Sequence, residues 1–144
     1  MPSPDRRRFD AAKRVADLLL SAVGLVATLP LQGLVAVVVL AAHGRPVLFR
    51  QPRPGKDGRV FELVKFRTMR QADATHRTDA ERLTSTGRVL RATSLDELPT
   101  LLNVLRGEMS LVGPRPLLVH YLDRYTPQQA RRHEVRPGIT GLAQ

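Results

Sequence analysis

At 144 residues the chain is long enough for one domain and too short for two comfortable ones. Its formal charge of +10 rests almost wholly on 20 Arg against 3 Lys. Arginine's planar fork suits phosphate, so nucleic acid, anionic lipid and phosphorylated substrates are all open as partners. The absence of cysteine excludes disulfides, thiolate metal sites and a cysteine nucleophile, and four Phe, two Tyr and no Trp offer little for stacking single-stranded nucleic acid.

The chain opens on a polar, basic section, Met1 to Arg14, carrying Arg6, Arg7, Arg8, Lys13 and Arg14. The 25 residues from Leu18 to Ala42 then carry no charge. As continuous helix they would extend about 37 Å, enough to cross a bilayer core. The run is too long for a signal-peptide core and no small-residue cleavage site follows it. Pro30 sits near its middle, where it removes a helix hydrogen bond. Basic residues also flank it on the far side, at Arg45, Arg50, Arg53, Lys56 and Arg59. Positive flanks favour the cytoplasm, so both ends are expected on one face of the membrane. A helix that enters, breaks at Pro30 and returns meets both conditions, with Thr28 a nearby partner for backbone freed by the break. An ordinary kinked span is the competing reading.

Two strands are expected next, Val47 to Arg50 and Arg59 to Arg67, joined by a long loop punctuated by Pro52, Pro54, Gly55 and Gly58. The polar stretch from Arg70 to Glu81 reads as a mobile or helical surface segment. Leu98, Leu101, Leu102 and Leu105 predict a helix from about Asp96 to Arg106, stopped by Gly107. Gly113-Pro114-Arg115-Pro116 reads as a rigid turn. Leu117 to Arg132 reads as one amphipathic helix or two short ones, and Arg136 to Gly141 as another rigid loop.

Asp96-Glu97 is the sharpest chemical candidate. Adjacent carboxylates at a helix start would stay ionised near the amides, which can also face a phosphate oxygen. An ionised Asp can attack phosphorus, and its neighbour can help hold a divalent cation on phosphate oxygens. A structural alternative is the capping box Ser94-x-x-Glu97, although Pro99 fits better if the helix starts nearer Asp96 and Asp96 is the cap. Lys65 and Arg67 share one face of the second strand. Arg115 lies between two prolines and Arg136 precedes another, frames that reduce the freedom lost on gripping an anion. Solvated surface arginines are the plain alternative. His43, His76, His120 and His133 show no metal-ligand spacing.

In order, Lys13-Arg14-x-x-Asp17, Gln51-x-Arg53-Pro54-Gly55, Lys65-Phe66-Arg67-Thr68-Met69 and Ser94-Leu95-Asp96-Glu97-Leu98-Pro99 resemble the small monotopic polyprenyl-phosphate phosphoglycosyl transferases, the bacterial sugar transferase family. Asn103-Val104-Leu105-x-Gly107-x-Met109 through Pro116, and Val135-Arg136-Pro137-Gly138-Ile139-Thr140-Gly141, continue the resemblance from about Phe9 to Gln144. The resemblance implies Asp96 as nucleophile and Glu97 as its partner in a carboxylate dyad with Mg²⁺. The substrates it implies are a UDP-sugar, with UMP released, and polyprenyl phosphate, usually undecaprenyl phosphate. It also implies attachment to the cytoplasmic face of a bacterial inner membrane. The family's helix break is commonly Ser-Pro, whereas here it is Leu29-Pro30. Family members also continue beyond Gly-Leu-Ala-Gln with an Asn-Gly-Arg loop and further helices, so a C-terminally shortened chain is expected.

The sequence reading is thus an α+β, mostly helical monotopic membrane protein with a re-entrant helix broken at Pro30 and a small β-hairpin. Residues 1–44 form the membrane section and 45–144 the catalytic domain. A basic, non-catalytic membrane-binding module is the alternative function, and a homodimer is open. Nucleic-acid binding would explain the arginines but leave the uncharged run idle.

Overall fold

A computed structural model of the chain describes residues 4–73 and 78–141. Helix α1 (Pro4–His43) is a single element of 40 residues and continues through Pro30. The expected break into two helices is therefore absent from the described backbone. Proline deletes only one donor from a long ladder, and the apolar residues on both sides carry the helix across it. Thr28 does not serve the carbonyl that Pro30 leaves short. Its hydroxyl donates to Gly24 O at 2.7 Å, and it accepts from Gln32 Nε2 at 2.9 Å.

One stripe of α1 is covered, recurring at helical spacing through Asp17, Ser21, Val35 and Val39, all buried. The opposite face presents Leu19, Leu20, Val23, Val26, Leu29, Leu34 and Val37 openly. Arg8–His43 contains an 18-residue stretch with a mean hydropathy of 2.3, and the helix is long and apolar enough to cross a membrane. Near its start Asp17 accepts from Ser110 Oγ at 2.7 Å, Leu111 N at 3.1 Å and Lys13 Nζ at 3.3 Å. Lys13 also donates to Ser110 Oγ. Gly24, midway, faces Leu101. At its far end Val35 and Val39 pack with Phe66 and Leu90, and His43 Nε2 lies 2.8 Å from Thr84 Oγ1. The rest of the chain is thus seated along the helix from one end to the other.

Strands β1 (Leu48–Pro54) and β2 (Val60–Phe66) form an antiparallel hairpin in which Arg50 faces Val64 and Pro52 faces Glu62. The expected long loop shrinks to a turn around a 3-10 segment, Lys56–Gly58. Pro52 and Pro54 belong to β1 because it is an edge strand, where a missing donor leaves no ladder partner short. The outer edge of β2 is closed by side chains. Thr100 Oγ1 donates to Val64 O at 2.9 Å, Val64 N donates to Asn103 Oδ1 at 3.0 Å, and Asn103 Nδ2 donates to Glu62 O at 2.6 Å.

Helix α2 (Asp79–Arg82) is one turn closed by a capping box between Thr78 and Glu81, and α3 (Ser85–Ala92) follows. The sequence reading placed no helix at α3. Residues 74–77, inside the expected mobile or helical segment, lie outside the described residues. The expected helix from Asp96 divides into a 3-10 segment, Leu95–Thr100, and α4 (Leu101–Arg106). Gly107 ends α4 in the left-handed region at φ 86°, as the sequence predicted. Arg14 donates to Val104 O at 2.7 Å and Leu105 O at 3.1 Å, placing a cation on the carbonyl end of α4.

Strands β3 (Ser110–Val112) and β4 (Gly138–Thr140) pair in parallel; the sequence reading assigned nothing to the first and a rigid loop to the second. A Cβ on Gly138 would meet Gly113 N at 2.1 Å, so glycine is what allows the two segments to approach. Between them the expected amphipathic helix becomes a 3-10 turn, Val119–Arg124, helix α5 (Pro127–Ala130) and a further 3-10 turn, Arg131–Glu134.

Candidate active site

Asp96 and Glu97 lie on the 3-10 segment that enters α4. Ser94, at its start, has a left-handed backbone (φ 56°) and makes no capping hydrogen bond with its side chain. The capping-box explanation of Glu97 therefore fails here. Glu97 Oε1 pairs instead with Arg115 Nη2 at 3.5 Å. Nor is Asp96 the cap of a regular helix. Pro99 falls within the same tight turn, where its missing donor is tolerated.

Asp96 is 4% exposed. Burial raises its carboxyl above the usual 3.8, opposed by the charge of Lys65, its own backbone amide, Arg91 and Arg115. Lys65, on β2, is the mirror case. Burial lowers its ammonium below the usual 10.5, while Asp96 and Glu97 pull it back and Arg91 and Arg53 push it further down. A buried acid and a half-buried base thus stabilise each other's charged forms, surrounded by more cations than the two carboxylates balance.

Lys65 lines two cavities. The larger, about 490 Å³, is bounded on its charged side by Arg53, Arg67, Arg70, Arg82 and Arg91 and on its apolar side by Leu48, Phe49, Phe66 and Leu118. The smaller, about 40 Å³, reaches Glu97, Thr100, Arg115 and Pro116. The structure therefore brings together Asp96, Glu97, Lys65 and Arg115. Arg67 borders the larger cavity but spends its guanidinium on Met69 O (2.9 Å) and Arg45 O (3.2 Å), tying down the base of the hairpin.

Arg136 is placed elsewhere. Its Nε donates to Gly107 O at 2.8 Å, and it borders a separate cavity of about 270 Å³ with Lys13, Arg14, Asp17 and Ser110. The proline frame that suggested an anion clamp instead delivers Arg136 to the carbonyl end of α4. Two site residues escaped the sequence reading. Arg91 lies at the end of α3, donates to Thr68 Oγ1 at 3.0 Å and acts on both Asp96 and Lys65. Arg53 sits between Pro52 and Pro54, the frame that marked Arg115, so the same signal was available.

Among the described residues no group of three or more His, Cys, Asp or Glu surrounds a metal position. Two neighbouring carboxylates, one of them buried, fit a cation that takes one or two protein ligands and completes its shell with water and substrate phosphate, the habit of Mg²⁺.

A buried acid facing a surplus of fixed cations is an arrangement for handling phosphate esters. Residues 8–144 match the family described as bacterial sugar transferase, and the chain belongs to that family. It is 53% identical over 135 residues to the uncharacterized sugar transferase EpsL of Bacillus subtilis (strain 168), covering 92% of this chain and 67% of that protein. It is 45% identical over 147 residues to the UDP-glucose:undecaprenyl-phosphate glucose-1-phosphate transferase of Caulobacter vibrioides, covering 96% of this chain and 55% of that one. The Escherichia coli (strain K12) protein of the same name is 41% identical over 140 residues, covering 92% of this chain and 30% of its own. The chain thus spans from about two thirds to under a third of the length of these relatives.

Proposed function

We propose that the chain transfers a sugar 1-phosphate from a UDP-sugar to undecaprenyl phosphate, on the cytoplasmic face of a bacterial inner membrane, at the start of glycan assembly. The observation that carries this reading is the buried Asp96 beside the Glu97–Arg115 pair, held among Lys65, Arg91 and Arg53. The names of the relatives above supply the substrate class.

In this reading an Asp96 carboxylate oxygen attacks the β-phosphorus of the UDP-sugar. The bond from that phosphorus to the bridging oxygen breaks, and UMP leaves with the oxygen and its electron pair. Asp96 then holds the phosphosugar as an acyl phosphate. A phosphate oxygen of undecaprenyl phosphate attacks the same phosphorus, and the carboxylate departs regenerated, leaving undecaprenyl-diphosphate-sugar. Burial strips water from Asp96 and so strengthens it as a nucleophile, while Lys65 keeps the anion available. Arg115 is set by Glu97 to meet phosphate charge. Asp96 and Glu97 would hold Mg²⁺, which supplies charge neutralisation on phosphate oxygens when bound.

The membrane topology in this reading is monotopic. The domain grips α1 at Asp17 and again at Val35, Val39 and His43, so a span that separated those ends across a bilayer would tear the domain away. Both basic flanks then share the cytoplasmic side, and the exposed apolar face of α1 enters the lipid from that side. Re-entry through a bend at Pro30 would need α1 to depart from the continuous helix described above.

The test incubates the full chain in detergent with UDP-sugars and Mg²⁺, with and without undecaprenyl phosphate, and measures UMP. UMP release that depends on lipid, with a phosphosugar adduct in intact mass spectra lacking acceptor and absent from Asp96→Asn, is expected. Turnover by Asp96→Asn would remove Asp96 from the nucleophile's role. For topology, single cysteines near each end should both resist labelling from the periplasm. Labelling of one end alone would establish a span.

A further inference from the structure

Arg53 has its guanidinium held by two hydrogen bonds. Its Nη2 donates to Gln51 Oε1 at 2.7 Å and its Nη1 to Pro116 O at 3.2 Å. Each of those nitrogens keeps a second N–H, and the buried Nε has no hydrogen-bond partner. A buried donor left unpaired costs free energy, and in native proteins such a group calls for an explanation. Arg53 lines both the large cavity and the small one, as Lys65 does. It also sits close enough to Arg115 for the like charge to depress its own pKa, after burial, without a carboxylate of its own.

The local charge points the same way. Arg53 acts on Arg115 and Lys65, and Lys65, Arg91 and Arg115 act in turn on Asp96, so cations outnumber the dyad's carboxylates around it.

We infer that Arg53 is a substrate-binding residue that grips the diphosphate of the nucleotide donor where the large cavity meets the dyad, with Gln51 and the Pro116 carbonyl aiming its fork. This rests on the proposed function for the identity of the donor, but it concerns binding and can be tested without turnover.

The experiment measures UDP binding by titration calorimetry on the full chain in detergent with Mg²⁺, in parallel with UMP release from UDP-sugars. Loss of charge-assisted hydrogen bonds predicts about 10- to 100-fold weaker UDP binding for Arg53→Gln. Arg53→Lys keeps the charge but not the fork, and it too should bind several-fold more weakly. Gln51→Leu, which leaves the guanidinium intact but unaimed, should fall between that variant and the parent, and it guards against a folding defect in the Arg53 variants. Arg50→Gln, on the same strand and paired only with exposed Glu62, should match the parent. Equal UDP affinity in the parent and Arg53→Gln, or no UDP binding by the parent, would overturn the inference. Arg53-dependent UDP binding without UMP release would uphold it and overturn the transferase reading instead.

Discussion

Asn103 offers the sharpest test of how the dyad is held in place. Its side chain is fully buried, and with Thr100 it stands where a third strand would, bonding the main chain of β2 at Glu62 and Val64. Lys65 is the next residue along that strand, and Asp96 and Glu97 lie one turn before Thr100, so these bonds register base against acid. Asn103→Leu keeps the approximate volume but strands the buried Val64 N–H and takes a donor from the part-buried Glu62 carbonyl and the Glu108 carboxylate. At about 1–3 kcal/mol for each orphaned group, less about 1–2 kcal/mol regained from the apolar side chain, the net cost is roughly 3 kcal/mol. At about 3 °C per kcal/mol for a domain of this size, the melting midpoint should fall by roughly 10 °C. Thr100→Val, which leaves only the Val64 carbonyl short, should cost about 1 kcal/mol. Circular dichroism at 222 nm in detergent reads both, since the chain has no Trp for fluorescence. A midpoint for Asn103→Leu within roughly 2 °C of the parent would refute the idea that side chains substitute for a strand on β2.

Two other outcomes follow from the buried carboxylates. The raised pKa of Asp96 means that folding favours its protonated form, so its stabilising contribution is complete below about 3.8 and is lost as pH rises through the raised value. At pH 7 Asp96→Asn should therefore melt no lower than the parent while UMP release collapses, and in the parent the acid limb of UMP release should lie above the range of an exposed aspartate. Asp17→Ala removes the acceptor shared by Lys13, Ser110 and the Leu111 amide and should cost about 3 kcal/mol. Amide exchange in the first turns of α1 should then accelerate by about 100-fold, whereas Asp10→Ala, at an exposed position, should leave it unchanged.

The long apolar helix was legible in the sequence because 25 uncharged residues in a row leave few other outcomes, and the hairpin and the Gly107 stop followed from local chemistry just as directly. The adjacent carboxylates and Arg115 were likewise visible as residues with frames that restrict them. What local reading could not supply was the answer to each ambiguity those residues posed. Whether Glu97 caps a helix or pairs with Arg115 depends on the left-handed turn at Ser94 and on a segment that returns 18 residues later. Whether Arg136 grips an anion or a helix end depends on where α4 stops in space. The parallel pair β3–β4 joins short segments about 28 residues apart, with no alternation long enough to announce a strand. Arg91 became a site residue only because α3 brings it back over Asp96 and Lys65. The same holds for α1: composition made it apolar, but only its contacts along the domain decided which stripe is covered and which face is left exposed. Hydrophobic length and turn chemistry are properties of neighbours in the chain, whereas the pairing of a charge is a property of neighbours in space.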